Sequence, residues 1–175
     1  PLTVLQGRLE QALERNQDKN LEPLLSKSRA ALEDLLTLVE KLLLLAKTEA
    51  GQGLNKEAVD VNEVVFKLTE TLRPLFEQKG LKLSLELPYT STVVRGDCVA
   101  LELLFRNLLE NACKFTERGE VKVKVRQESQ HVFVTIEDSG VGISAAALPH
   151  LFERFYQADV RHRQEGSGLG LALVQ

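Results

Sequence analysis

The chain has 175 residues, 25 acidic against 22 basic side chains and a net charge of −3. That length suits one good core, or a small domain with a helical piece, and the mildly acidic balance gives no reason to expect nucleic acid or an anionic membrane as partner. No apolar run approaches the roughly 20 residues that span a bilayer, and no signal peptide is visible. Cys98 and Cys113 lack metal-type spacing and read as reduced thiols of a cytosolic domain. There is no methionine, and the chain stops inside the apolar run 169–174, so a fragment cut at both ends is expected.

Leu2, Leu5, Leu9 and Ala12 recur at helical spacing, and the polar run 17–20 interrupts them. Leu21, Leu25, Ser28, Leu32, Leu35, Val39, Leu42 and Ala46 then step by four and three, a coiled-coil-like seam. Leu24, Ala31, Leu36, Leu38, Leu43 and Leu45 widen the stripe beyond what a two-helix zipper needs. Two helices joined by a short turn cannot bury so wide a face, so two hairpins pairing as a four-helix bundle, a homodimer, are expected. The alternative is a packing partner within the chain. Gly51 reads as the residue that ends the helix, and 52–55 as a linker.

Asp60 and Glu63 have capping-box spacing. The helix they open is expected to turn Val64, Val65, Leu68, Leu72, Leu75 and Phe76 inward, to bend at Pro74 and to end at Gly80. Leu81, Leu83, Leu85 and Leu87 alternate as a strand, and 92–95 as a short one. Asp97 is the N-cap of the next helix. Asn107 and Asn111 are four apart on that helix and share a face with Lys114, while Leu104, Leu108 and Ala112 are expected on the buried side. Asparagine is a mediocre helix former, so two on one face suggest either a purpose or merely a solvated polar face.

Val121, Val123 and Val125 mark a strand, and 128–130 turn it back into a second, where Val132, Val134 and Ile136 alternate. At its end stands Glu137-Asp138-Ser139-Gly140-Val141-Gly142-Ile143. A carboxylate on a rigid strand end can accept from a ligand amine, and the glycines let the backbone approach closely. Asp-Ser-Gly is equally ordinary turn chemistry. Residues 144–155 are amphipathic and expected helical, and 158–165 are charged and patternless, which together fit a mobile lid or a plain surface loop. Gly166, Ser167, Gly168, Leu169 and Gly170 open a last helix, where backbone N–H groups bind phosphate well.

Taken in order, the stretch from Asn107 to Phe115, the Asp138 to Gly142 turn, Phe152-Glu153-Arg154-Phe155 and Gly166 to Leu171 resemble the N, G1, F and G2 boxes of the two-component sensor histidine kinases. Four motifs in one order are far more specific than any one. The resemblance implies an α+β chain. Residues 1–51 would be the helical hairpin of a dimerisation and histidine-phosphotransfer domain. Residues 52–175 would be a two-layer sandwich of the Bergerat ATP-binding type, a mixed sheet covered by helices on one face. Pro1-Leu2-Thr3 looks like the tail of the run that follows the phosphoacceptor histidine, which is then expected upstream. His131, His150 and His162 read as structural or solvated.

The resemblance also implies ATP and Mg²⁺ as cofactors. Asp138 would take the adenine amine, and Phe115 would face the base. Asn107, Asn111 and Lys114 would hold metal and phosphates, with Asn111 the Mg²⁺ ligand. Gly140 and Gly142 would hinge the lid, Phe152 and Phe155 pack it, and Gly166, Gly168 and Gly170 cradle phosphates, with Ile143, Ser167 and Leu169 also among the ATP-binding residues. In related ATPases an acid on this helix activates water. Here Asn107 holds that place, and Glu110 does not, which fits phosphotransfer to a protein histidine. The implied partners are a second copy of the chain and a response-regulator receiver. Any membrane contact, through a bacterial inner-membrane anchor, lies outside this stretch. The alternatives are a non-kinase ATPase of the same superfamily and a degenerate kinase serving as a dimerisation module. Without its acceptor, the fragment is expected not to autophosphorylate.

Overall fold

The computed structural model describes Gly7 and residues 21–49, 55–153, 156 and 170–173. The expected first helix, the turn at 17–20, Gly51 and the charged stretch 158–165 lie outside these residues. The chain divides into two compact units, Pro1–Ala46 and Lys47–Gln175, each treated by itself.

In the first unit the described structure is most of helix α1, which runs Glu22–Glu49. Among the described residues of its apolar stripe only Leu32 is buried, whereas Leu21, Leu24, Leu35, Val39, Leu42 and Leu43 are exposed. No helix among the described residues is long and apolar enough to cross a membrane.

The second unit contains β1 (Glu57–Asp60), α2 (Val61–Gln78), β2 (Lys82–Glu86), β3 (Val93–Gly96), α3 (Cys98–Phe115), β4 (Glu120–Glu128) and β5 (His131–Asp138). Among the described residues, the short 3-10 turns Leu148–His150 and Leu171–Leu173 follow. Strand β4 pairs with β2 in parallel and with β5 antiparallel, giving a mixed three-stranded sheet, while β1 and β3 form a separate antiparallel pair. Alternation along β4 sends Val121, Val123 and Val125 to one face, where Val65, Leu68, Leu72 and Phe76 of α2 and Phe105, Leu109, Ala112 and Cys113 of α3 cover them. The other face is charged and solvated, with Lys122 2.8 Å from Glu120 and Lys124 2.7 Å from Glu86. This is the expected mixed sheet with helices on one side.

The helix ends form as the sequence predicts. Asp97 accepts from the Ala100 N–H at 3.1 Å. Asp60 accepts from the Asn62 N–H at 3.0 Å and also binds Thr92 N–H and the Ser91 hydroxyl, so the cap ties α2 to the start of β3. At the far end of α2, Gly80 takes φ +69°, with Gly80 N–H on Glu77 O and Leu81 N–H on Phe76 O, both at 2.9 Å. This pair of bonds is the Schellman closure that glycine permits.

Several expectations are corrected. Strand β1 was not anticipated: it buries only Val59 and is held by pairing with β3. Strand β3 starts at Val93 because Thr92 is buried with its N–H on Asp60. Leu75, expected inward, is exposed, and fully buried Thr69 takes a core place, its hydroxyl donating to Val65 O at 2.7 Å. On α3 the inward face is rotated by about one residue: Leu104 and Leu108 are half-buried, and Phe105, Leu109 and Cys113 point to the core. Residues 144–153 are not an α-helix. Their bonds mostly reach back three residues, as in Ala147 N–H to Ser144 O, and Pro149 supplies no donor. With only Ala147 buried there, no continuous apolar face pays for a longer helix.

Candidate active site

The candidate site is built where α3 ends beside the end of β5. Register places Asp138 opposite Val121, so the acid stands at the margin of the sheet. Its Oδ1 accepts from the Gly140 N–H at 2.9 Å, which fixes the carboxylate as a turn does. The side chain is exposed, and Oδ2 has no partner among the described residues. One carboxylate oxygen is thus held while the other is open as an acceptor.

Phe115 closes α3 and meets the same turn. Its carbonyl accepts from the Val141 N–H at 3.2 Å. A Cβ at Gly140 would overlap that carbonyl oxygen and stand 2.8 Å from Asp138 Oδ1, so only glycine fits. Gly142 takes φ +69° with open space around it, a left-handed position where a side chain would strain the backbone. The Lys114 ammonium lies 5.3 Å from the centre of the Phe115 ring. Lys114, Phe115 and Asn111 are all half-buried.

Asn107 differs from the expected open position. It is 3% exposed, and a Cβ at Gly170 would sit 3.2 Å from its Oδ1. Its Nδ2 is buried with no hydrogen-bond partner among the described residues. The structure thereby brings Asn107 to the backbone at 170, and Phe115 to the backbone at 140–141. Ile143 and Phe152 are exposed, while Phe155 and residues 166–169 lie outside the described set.

Among the described residues, no three His, Cys, Asp or Glu gather as a metal-ligating group. The half-buried amide of Asn111, one turn beyond Asn107, suits a hard cation that takes most of its oxygens from phosphate and water. His162 lies outside the described residues, and the other two histidines have partners of their own. His150 Nδ1 is 2.7 Å from Glu153 Oε1 with its ring near Tyr156, and His131 lies 6.4 Å from Phe133. Cys113 is buried under the site, and burial pushes its thiol pKa up.

Two supporting residues escape a motif reading. Ser139 N–H donates to Glu120 O at 3.1 Å, and its hydroxyl accepts from Glu120 N–H at 3.0 Å, locking the Asp138 turn to the start of β4. Lys79 donates to Cys113 O at 3.0 Å. The serine is visible in the sequence inside the turn, but nothing local marks its partner.

Residues 96–175 match the family of histidine kinase-, DNA gyrase B- and HSP90-like ATPases, the class that this sheet, helix pair and strand-end acid define. Over the whole chain the likeness is narrower. The signal transduction histidine-protein kinase BaeS of Escherichia coli is 36% identical over 177 residues, covering 99% of this chain and 38% of its own length. The solved structure of the Acinetobacter baumannii histidine kinase AdeS is 32% identical with a TM-score of 0.67, covering 99% of this chain and 81% of that one. The chain belongs to the sensor histidine kinases. Full-length ShkA in complex with AMPPNP, at 24% identity and TM-score 0.71 over 99% of this chain and 39% of its own, shares the fold. The chain spans about two fifths or less of the curated relatives it matches.

Proposed function

We propose that this chain binds ATP with Mg²⁺ and passes the γ-phosphoryl group to a histidine of the helical domain, from which an aspartate of a response-regulator receiver takes it. Residues 1–51 serve dimerisation and histidine phosphotransfer, and 52–175 bind ATP. The single observation that carries the reading is Asp138, a strand-end carboxylate with one oxygen held by Gly140 N–H and the other open. An exocyclic adenine amine is the donor such an oxygen accepts, and membership of the histidine kinases supports the assignment.

Phe115 offers its ring to the base, and Lys114 meets the phosphates as a point charge. Asn111 gives its amide oxygen to Mg²⁺. When bound, the cation neutralises charge on the phosphate oxygens. That Asn107 Nδ2 has no partner among the described residues supports a donor role toward the phosphate loop, where Gly166, Ser167, Gly168, Leu169 and Gly170 supply backbone N–H groups. Gly140 and Gly142 allow the turn into the lid, Phe152 and Phe155 pack it over the nucleotide, and Ile143 stands beside them in the ATP-binding set. The protein contributes positioning and charge rather than covalent chemistry. The exposed leucines of α1 support pairing with a second copy. The unit is cytoplasmic, and its parent is anchored in the bacterial inner membrane by segments outside this chain.

The test extends the chain upstream and downstream and incubates it with Mg²⁺ and γ-labelled ATP. An acid-labile, base-stable label that Asp138→Asn abolishes is expected. Nucleotide binding without label refutes the kinase reading in favour of a plain ATPase. Neither binding nor label leaves a partner-binding module.

A further inference from the structure

Helix α3 carries the candidate phosphate and base contacts in its last turn, yet that turn has no closure of its own. Thr116 follows in an extended conformation, with no left-handed residue to turn the chain back onto the last carbonyls. Groups from elsewhere finish it. The Phe115 carbonyl is taken by the Val141 N–H. The Cys113 and Lys114 carbonyls are taken by one ammonium, Lys79 Nζ, at 3.0 and 3.5 Å.

Lys79 is itself well placed to act as a fixed post. It is the C-cap residue of α2, one residue before Gly80. The Schellman bonds there run back to Phe76, which is fully buried in the core. A cation at a helix C-terminus is favoured by the exposed carbonyls and the helix dipole. The ammonium therefore connects the core-anchored end of α2 to the two residues, Lys114 and Phe115, that face the candidate nucleotide.

We propose that Lys79 is a positioning residue of the candidate ATP site, holding the last turn of α3 so that Lys114 and Phe115 keep their places against phosphate and base. It does not touch nucleotide and acts through the Cys113 and Lys114 carbonyls. This rests on the nucleotide reading above.

The test is titration of the purified 175-residue chain with the fluorescent probe mant-ATP in the presence of Mg²⁺. Wild type, Lys79→Met, Lys79→Gln, Lys79→Arg, Lys114→Ala and the Lys79→Met/Lys114→Ala double variant are compared, each also followed by thermal melting. Lys79→Met, which keeps the stem and loses the charge, is expected to weaken mant-ATP about three- to fivefold. Lys79→Arg is expected to restore it, and the effect is expected to shrink in the Lys114→Ala background, where only the part carried by Phe115 is left. Lys79→Gln keeps a neutral donor and is expected to fall between wild type and Lys79→Met, so the proposal remains testable if the methionine variant does not fold. Unchanged affinity in the folded Lys79 variants, or an effect undiminished in the Lys114→Ala background, overturns the positioning role. Asp138→Asn separates the two failures: if it abolishes binding while the Lys79 variants bind as wild type, the site stands and this proposal falls. If wild type itself does not bind, both fall.

Discussion

Gly140→Ala probes the junction on which the candidate site depends. Glycine to alanine in a loop ordinarily stabilises by about 0.4–1 kcal/mol, because alanine has fewer unfolded conformations to lose. Here the sign reverses. The new methyl would overlap the Phe115 carbonyl oxygen and stand 2.8 Å from Asp138 Oδ1. Carbon and oxygen settle at about 3.3 Å or more, so the turn must shift by at least about half an ångström. The Phe115 contact is with backbone at the end of a packed helix and cannot swing aside, so the Asp138 turn has to yield. Overpacking of this kind costs about 1–3 kcal/mol, and the Val141 N–H bond to Phe115 is lengthened with it. Displacement of the proposed adenine acceptor by this amount is expected to weaken mant-ATP by about tenfold or more, since each 1.4 kcal/mol is a factor of ten. Thermal melting reads the stability change and fluorescence titration the affinity. A variant that melts at or above wild type and binds the nucleotide equally well would refute both the steric argument and the placing of Asp138 in the site.

Ser139→Ala removes the acceptor of the Glu120 N–H. A loss of about 1 kcal/mol is expected, read as a fall of about 2–4 °C in melting temperature, and no fall would mean that water replaces the hydroxyl without cost. Asp60 supplies a pH test. The Ser91 hydroxyl bond lowers its pKa, burial opposes this, and the Asn62, Thr92 and Glu63 backbone N–H groups add to the lowering. A carboxyl with a depressed folded pKa stabilises above the unfolded value, about 3.9, and loses that contribution as pH falls through the folded value. Asp60→Asn keeps the shape and removes the charge. The gap in melting temperature between wild type and this variant, open at pH 7, is expected to narrow below about pH 4. A gap unchanged at pH 3 would sink the assignment.

Local signals carried much of the second unit. Asp60 and Asp97 lie where capping chemistry puts helix starts, Gly80 where a helix must turn left-handed, and Val121, Val123 and Val125 at the period of a one-sided strand. The acid that ends β5 and the glycine two residues on were legible because a strand end and a tight turn are local events. Where the reading slipped, the deciding partner was distant. Strand β1 has one buried side chain and no alternation, and exists because β3 lies beside it. The segment 144–153 has helical apolar spacing, but Pro149 and the lack of a surface to cover leave it in short turns.

The sequence by itself determined which residue types are on offer to the proposed nucleotide site: a carboxylate at a strand end, amides and an ammonium on one helix, glycines at the turns. Only the tertiary structure decided how those residues are held. That Asn107 is buried against Gly170, that Ser139 locks onto Glu120 and that Lys79 finishes the last turn of α3 are contacts between segments 19 to 63 positions apart. No periodicity or cap signal encodes such a contact, because its free energy arises only after the sheet and its two helices have packed.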